Sequence, residues 1–337
     1  MPDGHDIIVI GASSGGIEAL RRLLGELPGD LPAAVFVVVH IPGEAPSVLA
    51  RILDRAGPLE ARNPEDGEEI RAGRVYVALP NRHLLLEEGR VRLTYGPKEN
   101  RHRPAVDALF RTAAVAYGPR VVGVVLTGAM DDGTAGLLAV KRRGGVAVVQ
   151  DPDDALFDGM PGSALRFVDV DHCLPLDGMA TLLSRLSREP IPEQGESPVP
   201  DDMHLEARVA RLDPSVLHTD ERPGKLSHFT CPECTGPLYQ IEDGNLVRFR
   251  CRVGHAYTAE SMLEEKTEEI EGALYAALNS LEENALMSEG LAARARQTGR
   301  SHAAARFEAR ARGSREQAET IRRVLVDGKS GTKETAF

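Results

Sequence analysis

The sequence predicts an α/β fold: a doubly wound, mostly parallel sheet, followed by a small zinc ribbon and a C-terminal α-helical hairpin. Three observations predict it. Residues 6–190 alternate short apolar runs with amphipathic stretches, the pattern of strands and helices packed in layers. Three of the four cysteines, Cys231, Cys234 and Cys251, fall close together and are followed by His255. From Thr258 onward the chain holds no proline and is rich in Ala, Glu, Arg and Leu.

The elements follow in order. Asp6–Gly11 and Ala33–His40 are near-continuous apolar runs, the signature of strands buried on both faces. Helices are expected over Gly16–Leu27 and Ser47–Ala56. Arg74–Pro80 reads as a strand ended by proline, and His83–Tyr95 as a hairpin turning near Glu88-Gly89. Pro104–Tyr117 and Thr134–Arg143 read as helices, with Arg120–Gly128 and Gly145–Gln150 as buried strands. Residues 191–226, rich in proline and acidic residues, read as a linker with one short helix near Leu205–Leu212. Leu274, Ala277, Leu278, Leu281 and Ala285 recur at three- and four-residue spacing, so a long amphipathic helix is expected to about Ala295. Gly299-Arg-Ser breaks it, and a second helix runs from Ala303 to Val326. The domains expected are thus 1–190, the linker 191–226, the Cys3His segment 227–257, the hairpin 258–327 and a tail 328–337.

Bulk properties exclude some classes. With 40 Lys and Arg against 51 Asp and Glu, the formal charge is −11, which argues against general nucleic-acid binding. No run of about 18 apolar residues predicts a transmembrane helix, so no membrane insertion is expected. Met1-Pro-Asp-Gly-His-Asp lacks the basic and apolar regions of a signal peptide, so a cytoplasmic protein is expected.

The first candidate site begins at Gly11-Ala-Ser13-Ser14-Gly15, which fits G-x-S-x-G between a strand and a helix. Such a turn exposes a serine at the carboxyl end of a sheet, and the helix N-terminus offers N–H groups to an oxyanion. The same glycines could instead bind phosphate or simply pack the helix. A serine nucleophile needs a base, and the base needs an orienting carboxylate. His40 ends the second apolar run, and Asp132 follows a later one in Thr127-Gly-Ala-Met-Asp-Asp132-Gly. In a parallel sheet all three reach one edge. Asp131 competes with Asp132 for the carboxylate role or could cap a helix. The chain order Ser, His, Asp differs from that of α/β-hydrolases, chymotrypsin and subtilisin.

Taken together, Ile10-Gly-Ala-Ser13-Ser-Gly-Gly, His40-Ile-Pro, Asn100-Arg-His-Arg-Pro-Ala-Val-Asp107, the Thr127–Gly133 string and Gly159-Met-Pro161 resemble the catalytic domain of the chemotaxis methylesterases, the CheB family, over roughly residues 6–188. The resemblance implies a parallel-sheet esterase that hydrolyses glutamyl methyl esters on chemoreceptor-like proteins and can also deamidate glutamine. It implies Ser13 as nucleophile, His40 as general base and acid, and Asp132 as its orienter. It places Ser14, Gly15, Ala129 and Met130 around the oxyanion, and Arg101, Arg103 and Met160 along the substrate cleft. No catalytic cofactor is implied. Two departures stand out: family members commonly carry an N-terminal receiver domain, which is not expected before a strand starting near residue 6, and they generally show Gly where Met130 stands and often Asn where Asp131 stands.

The second candidate site is Cys231-Pro-Glu-Cys234 and Cys251-Arg-Val-Gly-His255, separated by a sixteen-residue hairpin-like stretch. Two close pairs of soft or borderline ligands suit a closed, tetrahedral, structural Zn²⁺ site. A reduced Cys-x-x-Cys with a redox role is the alternative. Phe249 and Tyr239 are expected to pack around the knuckles, His228 to be an exposed loop residue, and Cys173 to be buried in the core. The C-terminal helices read either as a solvated hairpin or as a docking element for a signalling partner. Two rival functions remain. A short-chain dehydrogenase would need Tyr-x-x-x-Lys, and no tyrosine has lysine four residues on. A signalling scaffold with an esterase-like domain would retain the fold without turnover.

Overall fold

The computed structural model describes residues 4–44, 46–191, 198–217 and 224–331. Parts of the expected linker (192–197 and 218–223) and of the tail (332–337) lie outside the described residues. The chain divides into two compact units, Met1–Met262 and Leu263–Phe337.

In the first unit the chain runs β1 (Ile7–Ala12), α1 (Gly16–Glu26), β2 (Ala34–Val39), α2 (Leu49–Asp54), β3 (Glu60–Arg62) and β4 (Arg74–Val77). A hairpin of β5 (His83–Glu87) and β6 (Arg90–Thr94) leads to α3 (Val106–Tyr117), β7 (Val121–Val125), α4 (Thr134–Arg142) and β8 (Val146–Gln150). Then come α5 (Gly159–Phe167), β9 (His172–Leu174), α6 (Leu176–Leu186), α7 (Asp201–Ala210) and α8 (Pro214–Leu217). Seven strands form one sheet in the order β3-β4-β2-β1-β7-β8-β9. Every pairing in it is parallel.

Side chains alternate across a strand, and the core divides accordingly. Ile8, Ile10, Val35, Val37 and Val124 pack with α1, α2 and α6 on one face. Ile7, Val9, Phe36, Val38 and Val125 pack with α3, α4 and α5 on the other. Both faces are covered, which is why these strands are apolar throughout and do not alternate with polar residues. The chain moves outward from β1 through β2 and then returns past β1 to β7. The strand order therefore reverses between β1 and β7, and a crevice opens there at the carboxyl ends.

Three expectations are corrected. Cys173 is exposed: it lies on β9, a three-residue edge strand that leaves its side chain uncovered. His228 is exposed but belongs to a strand and not to a loop. Phe249 packs with the cysteines as expected, but the tyrosine beside it is Tyr257, whose hydroxyl lies 3.7 Å from Cys231 Sγ, and Tyr239 on the strand Pro237–Asp243 is not part of that cluster.

A second, antiparallel sheet belongs to the same compact unit: β10 (Lys225–Thr230), β11 (Pro237–Asp243), β12 (Leu246–Cys251) and β13 (Ala256–Thr258). Its junction with the parallel-sheet region is a buried charge cluster. Arg111 on α3 pairs with Glu99 at 2.6 Å and with Glu206 on α7 at 3.3 Å. Arg250 on β12 reaches Glu206 at 2.6 Å and Glu99 at 3.2 Å. Arg248 bonds Glu206 at 2.8 Å and also pairs with Asp243. Three guanidiniums thus meet three carboxylates, and none of their side chains is more than 8 % exposed. Burial opposes charge, but the arginines hold Glu206 well below and Glu99 below the usual carboxylate range.

In the second unit most of α9 (Ala259–Gln297) and α10 (Ser301–Gly331) form an antiparallel hairpin around the turn at Gly299, whose φ of 70° suits glycine. Ala285 and Ala292 are buried on one helix, and Ala304, Ala311 and Ala318 on the other, each seven residues from the next. Arg296–Glu308, Glu289–Arg315 and Glu282–Arg322 pair across the seam at the same spacing. This heptad repeat with small residues inside is a close-packed coiled coil. Of the residues first assigned to the apolar stripe, Ala277 is exposed. No helix among the described residues is long and apolar enough to cross a membrane.

Breaking a buried ion cluster from one side strands a charge, which typically costs about 3–5 kcal/mol. Arg250→Ala is therefore expected to lower the unfolding free energy by about that amount, measured by urea denaturation of the full chain. A loss below about 1 kcal/mol would show that the cluster behaves as a solvated surface network.

Candidate active site

Ser13, His40 and Asp132 lie in the segments that leave β1, β2 and β7, at the reversal of strand order between β1 and β7. Ser13 leaves β1 with its N–H on Thr127 O at 3.0 Å, and His40 N donates to Ala12 O at 3.3 Å. Close packing dictates the glycines. A Cβ on Gly11 would sit 2.2 Å from Val106 Cγ1, and one on Gly16 would sit 2.5 Å from Ala12 Cβ. On Gly128 it would meet Met160 Sδ at 2.1 Å and Ser13 Cβ at 2.9 Å. Gly15, at φ 78°, turns the chain into α1.

His40 Nε2 bonds Asp132 Oδ2 at 2.7 Å, with both side chains nearly sealed from solvent. His40 Nδ1 is buried and has no hydrogen-bond partner among the described residues. The Asp132 carboxylate also accepts Val106 N at 2.7 Å, Asp107 N at 3.1 Å and Asn100 Nδ2 at 3.1 Å. The first two are free N–H groups at the start of α3, where the helix favours negative charge. Burial pushes the Asp132 carboxyl up, but the hydrogen bond and charge of His40 overcome it, leaving it well below the usual carboxylate range. Asp132 therefore takes the histidine, not Asp131, and the N-cap residue of α4 is Gly133.

The sequence reading passed over three neighbours. Asp107 accepts Gly133 N, Gly136 N and Asn100 Nδ2, and burial beside the charge of Asp132 pushes its carboxyl well up. Asn100 stands between the two carboxylates. His102 stacks on His40 with ring centroids 3.6 Å apart and planes within 8°. All three lie in the string Asn100–Asp107, so its composition was visible and only its geometry was not.

The remaining candidates are placed as follows. Ser14 and Ala129 are exposed beside Ser13, while Gly15 and Met130 are half-buried. Met130 has φ 64°, a left-handed backbone that favours glycine, and a Cβ on Gly159 would fall 2.7 Å from its N. Met160 is fully buried beneath Gly128, so it supports the floor of the site from inside. The Arg103 guanidinium is engaged by Asn81 Oδ1 and the carbonyls of Tyr95 and Gly96, so it braces a loop. Arg101 is half-buried beside His102, at φ 72°.

The cysteine cluster is also assembled. The ligand atoms of Cys231, Cys234, Cys251 and His255 all lie within 4.8 Å of one another. Cys234 and Cys251 sulfurs are 3.6 Å apart, and His255 Nδ1 is 3.7 Å from Cys231 Sγ and 3.5 Å from Cys251 Sγ. Zn–S and Zn–N bond lengths imply tetrahedral edges of roughly 3.6–3.8 Å. The sulfurs are free thiols and their separation is far beyond a disulfide bond of about 2.05 Å. The donor set and its spacing fit a tetrahedral cation. The hydrogen bond from Cys251 pushes the Cys231 sulfur toward its thiolate form, and burial opposes this.

A parallel sheet with a serine turn and a buried histidine–aspartate pair at its switch point is the architecture of a serine-type hydrolase. The chain belongs to the CheB methylesterase family, whose sequence profile matches residues 8–183. A relative from Leptospira interrogans, a "putative protein-glutamate methylesterase/protein-glutamine glutaminase", is 40% identical over 185 residues, covering 55% of this chain and 96% of that one. "Protein-glutamate methylesterase/protein-glutamine glutaminase 5" of Anaeromyxobacter dehalogenans is 42% identical over 186 residues, covering 54% of this chain and 51% of that one. The chain thus spans nearly all of the first relative in its matched region and about half the length of the second. The crystal structure of the Thermotoga maritima CheB methylesterase catalytic domain matches with TM-score 0.52 and 36% identity, over 54% of this chain and 98% of that one.

The stacked imidazole gives a pH test. Burial, then the neighbouring His40, lowers His102 to about 4. The unfolded chain takes up this proton at about 6.5, so between those values it binds more protons than the folded chain. Stability from this group is complete above about pH 6.5 and falls by about 3 kcal/mol as pH drops to about 4. His102→Phe, which keeps a ring on His40, is expected to flatten that decline in urea midpoints measured across this range. An identical slope in both proteins would rule His102 out as its source.

Proposed function

We propose that this chain hydrolyses glutamyl methyl esters on a chemoreceptor-like protein, with Ser13 as nucleophile, His40 as base and acid, and Asp132 as orienter. The observation that carries the reading is the His40 Nε2–Asp132 Oδ2 hydrogen bond at the carboxyl edge of the sheet, beside the Ser13 turn. It is supported by the family membership and by the names of the relatives.

The assignment of ring nitrogens follows from chemistry. Nε2–H donates to Asp132, so Nδ1 keeps its lone pair, and Nδ1 is the nitrogen with no other partner. Nδ1 takes the Ser13 proton as Oγ attacks the ester carbonyl carbon. Backbone N–H groups of the Ser14–Gly15 and Ala129–Met130 turns would face the oxyanion. Nδ1–H then protonates the departing methoxide, and methanol leaves an acyl-serine. Water gives its proton to Nδ1 and attacks the acyl carbon. Ser13 recovers its proton and the glutamate carboxylate is released. Glutamine would follow the same path with ammonia as the leaving group. The negative Asp132 stabilises the imidazolium at both steps.

On this reading 1–190 bears the chemistry and the Cys3His segment binds Zn²⁺ through Cys231, Cys234, Cys251 and His255. The ion would have four protein ligands, which makes its role structural. Order in the short β10–β13 sheet would then depend on it.

The full chain is expected to release methanol from a methylated chemoreceptor fragment, and Ser13→Ala is expected to lose about 10³-fold or more in kcat. Equal release by both proteins would exclude Ser13 as the nucleophile, and well-folded protein with no release would exclude this substrate. Elemental analysis of the purified chain is expected to find zinc in equal molar amount, and Cys251→Ala is expected to lose it. A zinc-free, stably folded chain would remove the metal assignment.

A further inference from the structure

Asn100 is the one residue that touches both the triad and the antiparallel sheet among the described hydrogen bonds of Asp132. It is 4 % exposed and its amide is fully used. Nδ2 donates one hydrogen to Asp107 Oδ2 at 2.8 Å and the other to Asp132 Oδ1 at 3.1 Å. Oδ1 accepts from Thr258 N at 3.1 Å and from Ser261 Oγ at 3.2 Å. Its backbone N donates to Ala256 O at 2.8 Å, and Ala256 N donates to Lys98 O at 3.2 Å. The loop carrying Asn100 is therefore tied to β13 by one parallel bridge, Glu99 opposite Ala256.

An amide is polar in one direction only. Its oxygen would repel the charged Asp132 carboxylate, and its NH₂ would repel two donors. Thr258 and Ser261 supply donors on one side, and Asp107 and Asp132 supply acceptors on the other. The antiparallel sheet and the first turn of α9 thus set which way the amide points. Thr258 and Ser261 are themselves locked together, because Thr258 N donates to Ser261 Oγ and Ser261 N to Thr258 Oγ1. One residue upstream of β13 stands His255, whose carbonyl accepts Cys251 N at 2.9 Å and closes the knuckle of the cysteine cluster. Gly254 fits the knuckle against the loop: a Cβ there would meet Val209 Cγ1 at 2.3 Å and Pro97 Cγ at 2.9 Å.

The consequence falls on Asp132. Asn100 is the side-chain donor between the charged Asp132 carboxylate and the buried Asp107 carboxyl, and it satisfies one oxygen of each. Asn100 and Arg101 also hold left-handed backbones at φ 47° and 72°, a conformation that the surrounding contacts must maintain. His83, fully buried, ties down both ends of the loop through Pro97 O and Ala105 N.

We propose that Asn100 is a positioning residue for the hydrolysis, and that β13 and Ser261 fix its amide so that Asp132 is held against His40. The antiparallel sheet that bears the Cys3His cluster is then a working part of the catalytic site. This rests on the esterase reading above.

The test uses the full chain with ¹⁵N-labelled histidine. It reads the His40 Nε2–H resonance, assigned by its loss in His40→Gln, together with kcat and KM for methanol release. Asn100→Asp keeps the shape and the acceptor oxygen but removes both donors to the carboxylates. Ser261→Ala removes one donor to Asn100 and touches no triad residue. The His40 resonance is expected to vanish in Asn100→Asp and to shift or broaden in Ser261→Ala. The expected kcat losses are about 100-fold and about 5-fold, with KM within about twofold of the parent. If circular dichroism shows Asn100→Asp unfolded, Asn100→Ser carries the same readout. An unchanged resonance and kcat in the Asn100 variant overturn the positioning role, and unchanged values in Ser261→Ala overturn the part given to the sheet. A parent chain that shows the resonance but releases no methanol defeats the esterase reading alone, and the positioning inference is then decided by the resonance.

Discussion

The structure depends on keeping one carboxylate charged inside it. Asp132 has lost its water and accepts four hydrogen bonds in exchange: from His40, from two N–H groups at the start of α3, and from Asn100. Removing that solvation without replacement would be costly enough to neutralise the group. Much else can be understood as the means of delivering these donors. Gly11 lets Val106 approach the sheet, so the start of α3 can reach the carboxyl edge. Gly136 approaches Asp107 on the same helix, so the second carboxylate can cap the turn before α4.

The topology makes the convergence possible. Because the strand order reverses between β1 and β7, the chain ends of both point into one crevice, flanked by β2. Backbone bonds from His40 to Ala12 and from Ser13 to Thr127 knit the three strand ends together. Loops of this kind vary in position when they are held only by their ends. Here Thr127 Oγ1 accepts Phe157 N and donates to Ser14 O, so the turns on either side of Ser13 are bonded to each other.

The placing of Ser13, His40 and Asp132 at one edge was legible in the sequence because each lies just beyond a long apolar run, and a parallel sheet sends all such positions to one edge. The strands of that sheet were legible for the same reason: burial on both faces leaves no polar alternation to confuse them. β3, β9 and the helices between 159 and 186 were not, since three-residue edge strands leave almost no pattern. Cys173 misled because an edge strand need not be covered. Tyr239 and Tyr257 both flank the cysteines in sequence, and only the pairing of β12 with β13 turns Tyr257 inward. Asn100 could be read as part of a string but not as a bridge, because its partners Thr258 and Ser261 stand more than 150 residues away. Glu99, Glu206 and Arg250 were invisible for a related reason: a buried charge looks like a surface charge until its partner is placed.

That charge cluster also constrains how the chain can change over time. Glu99 and Arg111 from the parallel-sheet region balance each other. Glu206 and Asp243 balance Arg248 and Arg250 from the segment that follows. Two self-neutral groups could therefore have met without either bringing net charge into the interior. Once interlocked, any single change that removes a charge on one side leaves its partner charged and without water. The two segments are thereby matched in charge, and a loss on one side is made good by a matching loss on the other.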